Sequence, residues 1–171
     1  RRVLFRSVVV LANSMGGMLG VHFAATYPAR VSALILENPL GLEDYSAIPE
    51  QSNERLLGLE MAQTEESFRQ FLHGYFPKWQ SGFERYVEFY GAIKRGPDYK
   101  AFSVASVRSY QMIAEHPVIA EFSKVRAPVL LIIGQLDRTV FGKRFAPPGA
   151  IQSMGDFPRL SEAALRKFPE A

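Results

Sequence analysis

The 171-residue chain contains no cysteine, only three histidines and a single tryptophan. Without cysteine, neither a disulfide framework nor a thiolate metal site is possible. The histidines, His22, His73 and His116, are dispersed, which argues against a histidine-rich metal centre. No apolar run approaches the ~18 residues that would suggest a membrane span, so no membrane partner is expected. The lack of cysteine does not choose between the cytoplasm and the periplasm. The chain does not begin with methionine, so its original start and cellular address are not legible.

Charge of one sign is also scarce once its placement is considered. The net charge of +3 includes Arg1, Arg2 and Arg6, all within Arg-Arg-Val-Leu-Phe-Arg-Ser. Those seven residues are what AGA CGT GTG CTC TTC CGA TCT encodes, which resembles the end of a common sequencing adapter. Our reading is that residues 1–7 are translated adapter, to be set aside in reasoning about the fold. Removing the three arginines takes the net charge from +3 to 0. No basic patch then remains to suggest a nucleic acid partner. A genomic copy continuing through these seven residues would contradict the reading.

What is present is an ordinary globular composition, 47% hydrophobic and 22% charged, sufficient for one sizeable core. Val8–Ala12 is a continuous β-branched and apolar run, the pattern of a central parallel-sheet strand covered on both faces. A helical stretch from Met18 to Tyr27 stops at Pro28, and Val31–Glu37 reads as the next buried strand. Strand, helix and strand within about thirty residues make a βαβ unit.

From Tyr45 to about Phe122 the texture changes. Phe68, Phe71, Leu72 and Tyr75 fall at i, i+3, i+4 and i+7, and Phe83, Tyr86, Val87 and Tyr90 repeat the spacing. These are amphipathic helices with aromatic stripes, and a third helix is expected between about Tyr99 and Glu115. A helical block between two sheet strands reads as an inserted cap. Val129–Ile133 is the next strand, closed by Gly134. The segment 134–156 is loop-rich, followed by a last helix over Ser161–Phe168 with Ser161 as its cap. The domain reading is therefore 8–44 and 123–171 for the sheet core, with 45–122 as the cap.

The chemistry centres on Ala12-Asn13-Ser14-Met15-Gly16. A serine between small residues, on a sharp turn from strand to helix, is the pattern of a nucleophile elbow, usually G-x-S-x-G. Bulk two residues before or after the serine is expected to collide with neighbouring backbone, and Gly17 to keep the helix start slim. The helix start leaves amides free, so the Met15 N–H can face a developing oxyanion. The bland alternative is that Ser14 caps the helix.

Val10 to Met18, followed by Tyr27-Pro28-Ala29-Arg30-Val31, resembles the α/β-hydrolase superfamily. Ala127-Pro128-Val129-Leu130 leading to Gly134-Gln135-Leu136-Asp137 resembles its penultimate core strand. Asn38-Pro39-Leu40-Gly41-Leu42-Glu43-Asp44 resembles the cap entrance of a bacterial, esterase-like subgroup. Asn13 departs from many members, which have histidine there. The resemblance implies an α/β fold class: a partial α/β-hydrolase fold, with a parallel-sheet core and an inserted helical cap.

The family order is Ser, then acid, then His. The resemblance assigns Ser14 as nucleophile and Asp137 as the acid that orients an imidazolium. Glu37 is the rival acid, since some members carry it after the strand that follows the elbow. No histidine follows Asp137. His22 lies about 12 Å along the elbow helix from Ser14, out of reach of its hydroxyl. His73 and His116 fall in or beside the cap. The expectation is a chain cut at both ends, missing its base and a second oxyanion donor, and inactive alone.

The implied activity of the parent is hydrolysis of an ester, or of a related acyl or carbon–carbon bond. Neither a metal nor an organic cofactor is expected. An apolar small-molecule substrate is expected, with Trp79, Tyr86 and Tyr90 as pocket candidates or simply cap core. Two alternatives stand beside it: a non-catalytic binding protein of the same fold, and an acyltransferase using the same elbow. Oligomeric state is not legible.

Overall fold

The computed structural model describes residues 6–76 and 78–170. Most of the proposed adapter segment, 1–7, thus lies outside the described residues. The chain divides into two compact units. One is formed by the chain up to Ile48 together with everything from Glu115 onward; the other is Pro49–Ala114.

The first unit is built on a parallel three-stranded sheet in the order β1 (Val8–Asn13), β2 (Val31–Glu37), β3 (Val129–Ile132). Register runs from Val9 opposite Ala33 to Asn13 opposite Glu37, and from Leu34 opposite Val129 to Glu37 opposite Ile132. The ends of all three strands therefore line up at Asn13, Glu37 and Ile132. In open parallel sheets this carboxyl edge is where sites form. β2 is central, and its Leu34 and Leu36 are fully buried, each contributing about 1.5–3 kcal/mol by leaving water.

Helix α1 (Met15–Thr26) connects β1 to β2 and buries Met18, Val21 and Ala24. It comes close to the sheet because Gly20 has no side chain: a Cβ there would lie 3.0 Å from the Ala12 Cβ and 3.3 Å from Leu34. Val9, Leu11, Leu130 and Ile132 are exposed, and the outer edge of β1 carries no strand among the described residues. At β3, the Val129 N–H donates to the Glu170 carbonyl at 2.9 Å.

The second unit is helical: α2 (Asn53–Ala62), α3 (Glu65–His73), α4 (Glu84–Arg95) and α5 (Tyr99–Glu115), the last of which the first unit shares at its final residue. Ser52 and Thr64 cap α2 and α3, Thr64 within a reciprocal capping box with Ser67. The aromatic stripe predicted on α3 divides. Phe68 stacks on Tyr90 of α4 with centroids 4.2 Å apart, whereas Phe71 and Tyr75 are exposed. The Tyr99 hydroxyl donates to the Glu60 carbonyl at 2.7 Å, and Lys94 donates to the Met61 carbonyl at 3.0 Å. Both bonds fall on carbonyls of the last turn of α2, where the helix ladder runs out.

The C-terminal region corrects one expectation. The loop-rich stretch 134–156 holds one short helix, α6 (Pro148–Ser153). The last helix, α7, runs Phe157–Leu165 and is capped by Asp156, which accepts from the Arg159 N–H. Ser161 is no cap; its hydroxyl donates to the Pro158 carbonyl inside the helix at 2.7 Å. Asp before Phe-Pro supplies a stronger start than Ser161, because proline's fixed φ suits the first turn. Starting there also buries Phe157 completely.

Candidate active site

β1 ends at Asn13 and α1 begins at Met15, so the whole reversal falls on Ser14. Its backbone takes φ 52° and ψ −125°, a conformation non-glycine residues avoid, at a cost of about 1–3 kcal/mol. Local bonds hold it there. The Ser14 N–H donates to the Glu37 carbonyl at 3.2 Å, and the Ser14 carbonyl accepts from Gly17 and Leu40, both at 2.9 Å.

The Ser14 hydroxyl makes no capping bond to the helix. A serine recruited only to start a helix would accept from the second or third amide of the first turn and would keep an ordinary extended backbone. Ser14 does neither. The Met15 N–H, at the first position of α1, likewise has no backbone partner among the described residues. Half-buried Ser14 thus keeps its hydroxyl out of capping at a helix start whose first amide has no backbone partner among the described residues.

The crowding expected at Gly16 occurs one residue later. A Cβ on Gly16 would meet nothing within 4 Å, but one on Gly17 would lie 2.3 Å from the Pro39 Cβ. The turn carries Gly16 outward, and it is Gly17 that slides under the segment leaving β2. Ala12 is buried against the position of Gly20, consistent with the small residue expected there.

Asp137 lies in the turn after β3 and is half-buried. Its N–H donates to the Gly134 carbonyl at 3.0 Å, and its Oδ1 accepts from the Thr139 N–H at 2.9 Å. One oxygen thus fixes the carboxylate, while Oδ2 has no hydrogen-bond partner among the described residues. Glu37, the rival, is exposed at the end of β2. Its carbonyl accepts from the Asn13 side-chain amide at 3.2 Å, beside the Ser14 N–H, and its Oε2 lies 3.5 Å from the same amide. Asn13 therefore braces the elbow against β2.

None of the histidines contacts the elbow through a described hydrogen bond. His22 is exposed on α1 and pairs through Nδ1 with Glu121 at 3.0 Å. His73 stacks on Trp79 at 4.3 Å within the helical unit, and His116 is exposed. Tyr90 is buried, its hydroxyl 3.0 Å from that of Tyr99, and burial followed by that contact pushes its pKa up. Among the described residues no cluster of His, Asp or Glu could hold a metal ion, and no helix is long and apolar enough to cross a membrane.

Two further residues take part that sequence reasoning did not single out. Asn38 has φ 38° and accepts the Gly134 N–H through Oδ1 at 2.9 Å. Glu43 is buried, accepts the Gly155 N–H at 3.0 Å through Oε2, and leaves Oε1 unpaired. Burial pushes its pKa up, only partly offset by the Gly155 bond. Gly155 packs in turn on the carbonyls of Arg138 and Thr139, so Glu43 supports the stretch just beyond Asp137. Only a positive φ at Asn38, or the burial of Glu43, would have drawn attention to either, and neither is visible in the sequence.

A family model described as alpha/beta hydrolase fold matches residues 2–144. A 2-hydroxy-6-oxo-6-phenylhexa-2,4-dienoate hydrolase from Comamonas testosteroni is 27% identical over 135 residues, which cover 77% of this chain and 46% of that protein. Among solved structures, a probable hydrolytic enzyme from Pseudomonas aeruginosa PAO1 superposes with a TM-score of 0.92 at 33% identity, over 98% of this chain and 55% of that one. A 2-hydroxy-6-oxo-6-phenylhexa-2,4-dienoate hydrolase from Rhodococcus sp. strain RHA1 has the same fold, with a TM-score of 0.66 at 20% identity over 98% of this chain and 54% of that one. The chain spans about half the length of these relatives.

Proposed function

The chain belongs to the alpha/beta hydrolase fold family, and from that premise we propose that the whole protein is a serine hydrolase with Ser14 as nucleophile and Asp137 as acid. The observation that carries the reading is Ser14 itself: a strained backbone whose hydroxyl is not spent on capping α1. The family's chain order calls for a histidine base after Asp137.

In this reading Ser14 Oγ attacks the substrate carbonyl and its proton passes to the imidazole. The Met15 N–H, with a second donor from elsewhere in the protein, holds the oxyanion of the tetrahedral intermediate. Collapse expels the leaving group, which takes the proton back from the imidazolium. Water then attacks the acyl-serine, giving its proton to the imidazole, and the free acid departs as Ser14 recovers its proton. Asp137 Oδ2, the oxygen not used by Thr139, is the one available to the imidazole.

The substrate is a small, largely apolar carbonyl compound, either an ester or a ketone cleaved at the adjacent carbon–carbon bond. The relatives named for a phenylhexadienoate substrate favour testing the second class alongside the first. The test is turnover of activated esters and of a 6-aryl-6-oxo-dienoate by the whole protein and its Ser14→Ala, Asp137→Asn and Glu37→Gln variants. Loss in the first two with retention in the third is expected. Retained activity in Ser14→Ala would refute the reading, and loss confined to Glu37→Gln would move the acid to Glu37. The 171-residue chain alone is expected to show no turnover that depends on Ser14.

A further inference from the structure

Four consecutive residues, Glu37 to Leu40, touch both the elbow and the turn that carries Asp137. Toward the elbow, the Glu37 carbonyl takes the Ser14 N–H, Pro39 abuts Gly17, and the Leu40 N–H donates to the Ser14 carbonyl. Toward the acid, the Asn38 N–H donates to the Ile132 carbonyl at 2.9 Å, and Asn38 Oδ1 accepts the Gly134 N–H at 2.9 Å. Gly134 in turn receives the Asp137 N–H on its carbonyl.

We propose that Asn38 is a positioning residue, whose side-chain carbonyl holds Gly134 and thereby sets the Asp137 turn relative to Ser14. The inference rests on the reading of Ser14 and Asp137 as nucleophile and acid. The β2–β3 ladder ends with Glu37 opposite Ile132. Beyond it Asn38 turns into the left-handed region, and its side chain supplies the acceptor that the departing backbone no longer offers. Gly134 is the meeting point: a Cβ built on it would be in van der Waals contact with the Asn38 side chain, at 3.4 Å from Nδ2, and with the Asp137 Cβ, at 3.9 Å.

The residue type follows from three simultaneous demands: a left-handed φ, a backbone N–H for Ile132, and a short side-chain acceptor for Gly134. Glycine meets only the first two. Asparagine meets all three, because it tolerates the left-handed region better than other side chains. Ser14 and Asn38 are the only non-glycine residues with positive φ among those described. Glu37 joins them, bonded to Ser14 through space and to Asn38 through the chain. Strained residues collect where geometry has a task. The Asn38–Gly134 bond is solvent-accessible, so water can replace it with little loss of overall stability. What its removal changes is the position of the turn.

Amide hydrogen exchange on the whole protein, resolved to single residues by fragmentation mass spectrometry, tests the contact in Asn38→Gly and Asn38→Asp. Glycine keeps the backbone angle and loses the acceptor, whereas aspartate keeps both. Gly134 is expected to exchange about tenfold faster in Asn38→Gly and near the wild-type rate in Asn38→Asp, with Leu40 unchanged in both. In the whole protein, Asn38→Gly is expected to lower kcat by about 10–100-fold with KM within about twofold, since misplacement by about 1 Å has effects of this order. Asn38→Asp should recover most of that loss. Unchanged Gly134 exchange in Asn38→Gly, or equal opening in both variants, overturns the proposal. So does an unchanged kcat in a protein that Ser14→Ala inactivates. Should Asn38→Gly fail to fold, fast Gly134 exchange in Asn38→Asp is by itself enough to overturn it. Retained activity in Ser14→Ala is a separate result, which removes the catalytic premise whatever the exchange rates.

Discussion

Gly17 lies so close to Pro39 that a Cβ on the glycine would sit 2.3 Å from the proline's Cβ and 2.9 Å from its Cα. Both proline atoms are held by ring or backbone, so neither can swing aside. The contact docks the start of α1 under the segment leaving β2 and helps close the elbow around Ser14.

Gly17→Ala should therefore destabilise the chain by about 1–3 kcal/mol or more, as overpacking of a rigid contact does. Gly16→Ala is the internal control: its Cβ enters open space, and alanine favours a helix by up to about 1 kcal/mol over glycine. Urea midpoints of the two variants should fall on opposite sides of wild type, or at least be well separated. Equal midpoints would show that Pro39 yields and that the contact is not a constraint.

The capping box on α3 gives a second stability prediction, within the helical unit. Thr64 Oγ1 accepts from the Ser67 N–H at 3.1 Å, and the Ser67 hydroxyl accepts from the Thr64 N–H at 2.8 Å. Thr64→Ala should cost about 1 kcal/mol. Ser67→Ala should cost a similar amount, and the double variant less than the sum, because each residue serves the other. Hydrogen exchange at Ser67 and Phe68 reads the fraying directly; unaltered protection would show that the box contributes nothing.

Much of the architecture was legible, for reasons that can be named. Val8–Ala12 and Val31–Glu37 are β-branched, apolar runs of strand length, and both form as parallel neighbours. The expectation of a central strand covered on both faces fails for β1, which is an edge strand among the described residues with Val9 and Leu11 exposed; run composition reports strand type but not position in the sheet. The bounds of α5 match because Gly96-Pro97 before it and Pro117 after it are strong stops. Helix α2 had no such signature: only Leu56 is buried in it, so its apolar stripe is faint. The start of α7 was misplaced because Ser161 looked like a cap, while Asp156 and Pro158 formed the better one. At the site, the Ser14 turn was visible as local pattern. The Asn38–Gly134 bond spans 96 positions in sequence and depends on strand register, which no local pattern carries.

Glu43 makes stability depend on pH with a definite sign. Burial raises its pKa above the ordinary carboxylate value, so the folded state holds a proton more tightly than the unfolded chain. Its favourable contribution is complete below the unfolded pKa of about 4.3 and is lost as pH rises through the raised folded value. Glu43→Gln removes this titration. Relative to wild type, the variant should thus gain stability as pH climbs from about 4.3 toward neutrality, and level off above the folded pKa. Chemical denaturation of both proteins across that range checks it. A difference independent of pH would mean that Glu43 does not titrate abnormally.

Every role proposed for the site depends on Ser14 being a nucleophile. The most direct measurement is to treat the whole protein with a fluorophosphonate, digest it, and map the adduct by mass spectrometry. A single stoichiometric phosphonyl ester on Ser14 is expected, absent from Ser14→Ala and formed much more slowly in Asp137→Asn. An unlabelled Ser14 in a protein that still turns over substrate, or an adduct on another residue that tracks activity, would contradict it.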